Sequence, residues 1–385
     1  MYSYHSWIWQ LADWPDFTFD REHIATHLTR ARQSQYVLLG KAAAIGLEGL
    51  QNTVVEALTQ EAVTTTTIEG EMINPQSVRS SIAKRLGLDV YGTPAADNKI
   101  EGLVDILQDA STALNEPLTL ERLCAWHRAL FPTGFSGMYK IDVGTLRSST
   151  MRIVSGPIGK SKIHFEAPPA ELLSISVQRF VDWFNASHPK TGVSPLDGIV
   201  RACISHLWFE TLHPFDDGNG RIGRAILQLA LGQDMGGPGC IVTLSQQIYR
   251  NRTDYYQQLE KAQSATSMDI TPWMVWMTDQ IGAACDFAEV TLDTSLERIR
   301  FLAKTSPLPL NARQRKSLSK LLEAGPGGFE GGMTTRKHAS LCKTSKPTAA
   351  RDLIEMTNMG VIVSIGSGRS TRYYPAIEGW GEQGE

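Results

Sequence analysis

His213-Pro-Phe-Asp-Asp-Gly-Asn-Gly-Arg-Ile-Gly-Arg224 packs a base, a metal-type carboxylate, a glycine-rich turn and two arginines into twelve residues. Upstream, Leu196, Ile199, Val200, Cys203, Leu207, Trp208 and Leu212 recur at the three-and-four spacing of an amphipathic helix, which Pro214 and the Gly218-Asn219-Gly220 turn should end. Ile222, Ala225, Ile226, Leu229 and Ala230 keep the same period, so a second helix restarts at once. A loop between two buried helices is short and pinned, and the N–H groups of Gly218 to Gly220 are left free at the start of the second helix. Such an N-terminus binds anions.

Each residue of the run has a chemical task. Glycines let the backbone approach a phosphate closely. Asp217 is placed to hold Mg2+, a hard cation that prefers carboxylate, water and phosphate oxygens. Arg221 and Arg224, three apart on one helical face, fork onto phosphate oxygens. His213 has an unperturbed pKa near ~6.5, suited to taking a proton from an alcohol. The chemistry implied is phosphoryl or nucleotidyl transfer to a hydroxyl.

The run resembles the signature of the Fic family, His-x-Phe-x-[Asp/Glu]-Gly-Asn-Gly-Arg-x-x-Arg, and departs from it at no fixed position. The resemblance implies that His213 is the base and Asp217 the Mg2+ ligand. It makes Gly218, Asn219, Gly220, Arg221, Ile222, Gly223 and Arg224 the nucleotide-binding stretch, with the two arginines on the outer phosphates. Phe215 is the core anchor of the loop. After the signature, a helix over Asn251 to Gln263 carries Tyr255, Tyr256 and Gln263. The tyrosine pair resembles the family's adenine pocket, although tyrosines on an amphipathic helix also serve simply as packing.

A second stretch, Thr64-Thr-Thr-Thr-Ile-Glu-Gly-Glu71, ends a helix that begins near Glu56. Four consecutive β-branched residues are poor in an isolated helix, so tertiary contacts must hold it. Gly70 is a natural cap. The stretch is similar to the family's inhibitory motif, [Ser/Thr]-x-x-x-Glu-[Gly/Asn], with Thr65, Glu69 and Gly70 in the defining places. By that resemblance Glu69 pairs with Arg224 and occupies the arginine that the γ-phosphate of ATP requires, whereas Glu71 has no such role. Earlier in the chain, Trp7 to Phe19 is an aromatic-rich extended stretch, which reads as an arm packed on the body or, alternatively, as an exposed binding strip. Asp20 caps a helix through Ile24, Leu28 and Ala31, and a further helix covers about 33 to 51.

Turns around a short helix fill 73 to 97, with Gly92 and Pro94 among the breakers, and helices resume at about 98 to 114 and 119 to 130. His127 on the latter is read as a packing histidine. From 147 to 165 the residues alternate around Ser155-Gly-Pro-Ile-Gly159, which predicts a β-hairpin. It resembles the flap of Fic proteins, whose strand edge holds a protein substrate by strand addition. Beyond a linker at Thr305 to Leu310 come helices over Asn311 to Ala324, Thr334 to Leu341 and Thr348 to Met359. Strands over Val361 to Ile365 and Arg372 to Tyr374 follow, the pattern of a winged helix. Lys346, Arg351, Arg369 and Arg372 could there meet DNA phosphates, although many winged helices bind proteins instead.

The 385 residues suggest two or three domains, and a net charge of −3 gives no global pull towards nucleic acid. Five cysteines without metal or disulfide spacing suggest reduced thiols in a cytoplasm. No apolar run of about twenty residues predicts a membrane span. The expected fold is mainly α: a Fic-type helical core with a β-hairpin flap, plus a C-terminal winged-helix domain. Expected boundaries are 1–97 for the arm and inhibitory region, 98–290 for the core, 291–310 for a helical linker and 311–385 for the winged helix. The expected activity is a protein adenylyltransferase that uses ATP and Mg2+ on a Ser, Thr or Tyr hydroxyl of a protein, self-modification included, and is inhibited by Glu69. Alternatives are an AMP-removing or other nucleotide- or phosphoryl-transferring Fic enzyme, or a winged-helix transcription regulator whose Fic body is a sensor. An oligomer is compatible with the sequence.

Overall fold

The computed structural model describes residues 7–88, 98–156, 162–326, 329 and 331–381. The turns expected around Gly92 and Pro94, the tip of the hairpin at Pro157 to Gly159 and the side chain of Arg369 lie outside the described residues. The chain is mainly helical, and its strands form two-stranded antiparallel pairs. It divides into two compact units between Glu289 and Val290. Among the described residues no helix is long and apolar enough to cross a membrane.

In the first unit, Asp20 accepts from the N–H groups of Glu22 and His23 and starts α1, Arg21–Ile68. The sequence suggests three separate helices here; the structure has one of 48 residues. Gly40, Gly46 and Gly49 weaken local propensity by about 1 kcal/mol each, but α1 has partners along its length and contains no proline to break it. Its partners include α2 (Pro75–Arg85), α3 (Asn98–Thr112), α7 (Asn219–Met235) and α8 (Leu244–Arg250).

Between α3 and α7 lie α4 (Leu120–Leu130), a small hairpin of β1 (Phe135–Ser136) and β2 (Tyr139–Lys140), and a second hairpin of β3 (Arg152–Ser155) and β4 (Lys162–Glu166). They are followed by α5 (Ala170–Ala186) and α6 (Gly198–Leu212). The β3–β4 pair is the hairpin the alternation predicts, and its register shifts between Ile153 and Val154. All fifteen residues of α6 are buried, and α7 is nearly so, which makes these two helices the centre of the unit. Phe180 of α5 meets Trp208 of α6 at 5.5 Å, and Trp14 of the N-terminal arm packs edge-on against Trp208 at 6.2 Å. Trp7 packs on Phe165 of β4 at 5.4 Å, so the arm lies against the body. α9 (Arg252–Gln263) and the part of α10 (Thr271–Thr305) up to Glu289 complete the helices around α6; the rest of α10 belongs to the second unit.

The second unit contains α11 (Ala312–Ala324), α12 (Thr335–Leu341), α13 (Lys346–Asn358), and a hairpin of β5 (Ile362–Ile365) with β6 (Arg372–Pro375). Met333 adds an antiparallel bridge to Tyr373. Leu318, Leu321, Leu322, Leu353, Met356, Val361 and Trp380 form its core.

Candidate active site

α6 ends at Leu212, and His213 turns the chain with φ 45 and ψ 58, a left-handed conformation uncommon outside glycine. Arg147 holds that turn. It is 2% exposed, and its guanidinium donates to the carbonyls of His213 (2.8 Å), Ser149 (2.7 Å) and Pro168 (2.6 Å). Its backbone N–H donates to the Pro214 carbonyl at 2.9 Å. Sequence reasoning missed this residue, because its partners are carbonyls brought together only by the fold. Burial, with Arg147 close by, pushes His213 down to about 4, so the imidazole is neutral at physiological pH. Its Nδ1 faces the Glu210 carbonyl at 3.4 Å; a carbonyl only accepts, so that nitrogen carries the hydrogen and Nε2 keeps its lone pair.

The glycine turn is locked from inside. Asn219 accepts from the Phe215 N–H (2.9 Å) and donates to the Phe215 carbonyl (2.7 Å). Its side chain therefore shapes the loop and is not available to a nucleotide. Ile222 is fully buried and its N–H is taken by the Gly218 carbonyl, so this residue too belongs to the scaffold. Gly223 packs against the Glu210 carboxyl, where a Cβ would come within 2.3 Å of Oε1. Gly218, with φ 79, begins α7 without any side-chain cap, which leaves first-turn amides open to an anion.

Asp217 accepts from the Gly218 N–H at 2.6 Å and, through its other oxygen, from the Ser136 hydroxyl of β1. Among the described residues no three His, Cys, Asp or Glu are grouped to hold a metal unaided. A Mg2+ site needs only one or two carboxylates where phosphates complete the shell, and Asp217, half-buried and beside open amides, fits that donor set. His127 sits beneath. The Gly144 N–H donates to its Nδ1 at 2.9 Å, which makes Nε2 the donor to the Asp217 carbonyl at 3.1 Å. Burial pushes it down to about 4, and it stacks on Phe215 at 4.4 Å. It packs, as its sequence context suggests, and it also ties α4 to the loop.

The end of α1 lies on α7. The Glu71 N–H bonds the Thr66 carbonyl (3.2 Å) and the Gly70 N–H the Thr67 carbonyl (3.0 Å), with Gly70 at φ 79, which is a Schellman closure. Thr66 and Thr67 turn their hydroxyls back to the carbonyls of Ala62 and Val63. The last turn tightens so that the Glu69 N–H takes the Thr66 carbonyl, which frees that of Thr65. Arg224 uses it: Nη2 donates to the Thr65 carbonyl (3.2 Å) and to Glu69 Oε1 (2.6 Å), and Nε donates to the Thr65 hydroxyl (2.7 Å). A Cβ on Gly220 would stand 2.5 Å from Glu69 Oε1, so the carboxylate lies on the first turn of α7.

Glu71 has a charged neighbour of its own. Its carboxylate stands 3.7 Å from Arg221, which also lies over the Phe131 ring at 5.1 Å. The Nε of Arg221 is buried without a hydrogen-bond partner, and the residue lines a cavity of about 30 Å3 with Glu71, Ser136 and Gly137. An orphaned donor beside a cavity suits an added phosphate oxygen. A further carboxyl missed in the sequence, Glu210, is pushed up to about 7 by burial.

The three α9 residues do not form one open pocket. Tyr255 is 2% exposed and its hydroxyl pairs with His206 Nε2 at 2.9 Å. Gln263, equally buried, donates to the Glu210 carbonyl at 3.2 Å and anchors the end of α6. Tyr256 alone of the three is exposed, at 46%. On the same helix Glu260 accepts from Lys162 Nζ (3.1 Å) and pairs with His164 Nδ1 (3.2 Å), which fastens β4 to α9. All four residues of β3 are exposed.

A helix hairpin whose loop presents a neutral histidine, a carboxylate, open amides and two arginines holds the donor set that phosphate chemistry needs. Residues 117–231 match the model of the Fic/DOC family, and residues 7–88 match DUF4172, described as a domain of unknown function. The chain thus carries a Fic domain. It is 26% identical over 275 residues to the protein adenylyltransferase Fic of Nematostella vectensis, covering 70% of this chain and 55% of that one. To the protein of the same name from Culex quinquefasciatus it is 29% identical over 294 residues, covering 75% and 51%. It spans about half the length of the curated relatives it matches. A crystal structure of a Fic family protein from Desulfovibrio desulfuricans superposes with a TM-score of 0.51 at 19% identity, over 93% of this chain and 97% of that one. A Fic domain containing signaling protein from Bacteroides thetaiotaomicron gives 0.51 at 16% identity, over 69% and 97%. The fold is shared.

Proposed function

We propose that this protein transfers AMP from ATP to a hydroxyl of a protein, and that Glu69 restrains the reaction. The adenylyltransferase names of the relatives and the neutral imidazole of His213 support the transfer. The observation that carries the restraint is the occupation of Arg224 by Glu69 and Thr65. His213 Nε2 takes the proton of the target hydroxyl as its oxygen attacks the α-phosphorus in line; the bond to the pyrophosphate oxygen breaks and pyrophosphate leaves. The open amides at the start of α7 stabilise charge on the phosphate oxygens, and Arg221 and Arg224 hold the leaving pyrophosphate. Mg2+, held by Asp217, supplies charge neutralisation on the phosphates when bound. The exposed β3 edge offers backbone groups to an extended target segment.

Arg224 cannot give its planar fork fully to both a carboxylate and the γ-phosphate. With Glu69 on the fork, ATP is bound with its α-phosphate out of line, and basal transfer is low. The test is transfer of radiolabelled α-phosphate from ATP. The Glu69→Gly variant labels itself or a lysate protein strongly, and adding His213→Ala abolishes the labelling while ATP binding persists. Labelling that survives His213→Ala would remove the histidine from the mechanism.

A further inference from the structure

We propose that the second unit binds duplex DNA through α13, the turn before it and the neighbouring hairpin. This inference is independent of the transferase reading. Residues 290–385 contain 14 Lys+Arg against 9 Asp+Glu, while the whole chain carries −3, so positive charge is concentrated in this unit. The bias sharpens locally. From Gly331 to Arg351 there are five basic residues, Arg336, Lys337, Lys343, Lys346 and Arg351, and no acid. All five stand exposed, on α12, the turn and the first half of α13, although Lys337 Nζ is engaged by the Gly332 carbonyl at 3.0 Å.

The acid that follows is removed from the surface. Asp352 is 3% exposed, and its carboxylate accepts from Arg313 (2.7 and 2.9 Å), Asn311 (3.0 Å) and His338 Nε2 (3.1 Å). His338 is itself fully buried and bonds the Ser317 hydroxyl at 2.6 Å. One carboxylate thus clamps α11, α12 and α13 together and leaves Lys346 and Arg351 as the charged residues on the exposed first half of α13, while Glu355 in its second half accepts from Gln314 at 3.0 Å. Ser345 caps α13, Pro347 rigidifies its first turn, and Ala349, Leu353 and Met356 face the core. Two short helices at a fixed turn, followed by an exposed segment over 363–368, present a helix that fits the major groove with basic residues on its first half and a hairpin that reaches the next backbone stretch. Ile354, Val363 and Ile365 are also exposed, but they lie after the acid-free stretch. Charge therefore favours phosphate over an apolar protein surface. A-form RNA closes its major groove to a helix, which favours B-form DNA.

The experiment is fluorescence anisotropy of a labelled 30-base-pair mixed-sequence DNA duplex with the full chain, from about 50 to 300 mM salt. Expected are micromolar binding at the lowest salt and a fall in log K against log salt with slope about −4, as for four or five phosphate contacts. The double variant Lys346→Ala/Arg351→Ala weakens binding about tenfold or more and makes the slope shallower by about 2. Lys84→Ala/Lys190→Ala, equal in charge and exposed on the first unit, stays within about twofold. Thermal melts by circular dichroism establish that both variants are folded. The proposal is overturned by no binding at 50 mM salt, by equal losses in the two variants, by equal affinity for single-stranded RNA of the same length, or by a duplex-blind chain that instead binds a protein through Ile354 and Val363.

Discussion

A histidine in the left-handed region costs roughly 1–2 kcal/mol, so His213 needs a reason to stay there. Arg147 is that reason: itself 2% exposed, it bonds the carbonyls of His213, Pro168 and Ser149, the bond to Pro168 fully buried. Arg147→Ala leaves those acceptors unpaired and should cost about 3 kcal/mol or more in urea denaturation; a loss under about 1 kcal/mol would deny it this role. His213 itself gives a pH prediction. Its folded value of about 4 lies below the ordinary ~6.5, so the base form persists as pH falls through 6.5 and is lost only on approaching 4. The acid limb of kcat for an activated variant should have its midpoint well below 6; a midpoint near 6.5 would contradict the half-buried, neutral imidazole. His213, Asp217, Arg221 and Arg224 are legible because their order along the chain is the chemistry. Arg147, Ser136 and Glu210 are not, since nothing local marks a residue whose partners are distant backbone or whose role is set by burial.

At the scale of the element, the C-terminus of α1 aims two carboxylates at two arginines through one closure. Gly70 at φ 79 is its pivot, and Gly70→Ala should cost about 1 kcal/mol and partly release transfer by misplacing Glu69 and Glu71 together. An unchanged melting temperature with unchanged basal transfer would show that the closure aims nothing. The threonine run announces a helix that tertiary contact must hold, and each of the four hydroxyls is engaged. That α1 is one helix rather than three was not legible, because propensity sees the glycines and not the partners lying along it. The β3–β4 hairpin is a second element with a fastening that periodicity does not reveal. Glu260→Gln weakens the hold on Lys162 and His164 and should raise KM for a protein target severalfold with little change in ATP affinity. The reverse pattern, a loss of ATP affinity alone, would place Glu260 in the nucleotide site.

Over the whole molecule, two stretches about 150 residues apart in sequence meet because α1 runs unbroken from the arm to the face of α7. The sequence carries both motifs and the resemblance that joins them; the distance between them is closed by the packing of α1 on α7 and α8. Burial raises the stakes of that meeting. Arg224 is 4% exposed, and removing one partner of a buried pair normally costs several kcal/mol. Here Thr65 retains two of the hydrogen bonds, so Glu69→Gly should fold, with a melting temperature lowered by only a few degrees. The most direct measurement is the initial rate of labelled AMP transfer by wild type, Glu69→Gly and Glu22→Gly at saturating ATP and Mg2+ with one target. Glu22 lies at the far end of α1 and is exposed, so its variant controls for a lost carboxylate alone, which Glu71 cannot do. The account predicts transfer raised tenfold or more in Glu69→Gly and unchanged in Glu22→Gly. Equal rates in all three proteins would contradict it and leave the Arg224–Glu69 pair a structural contact.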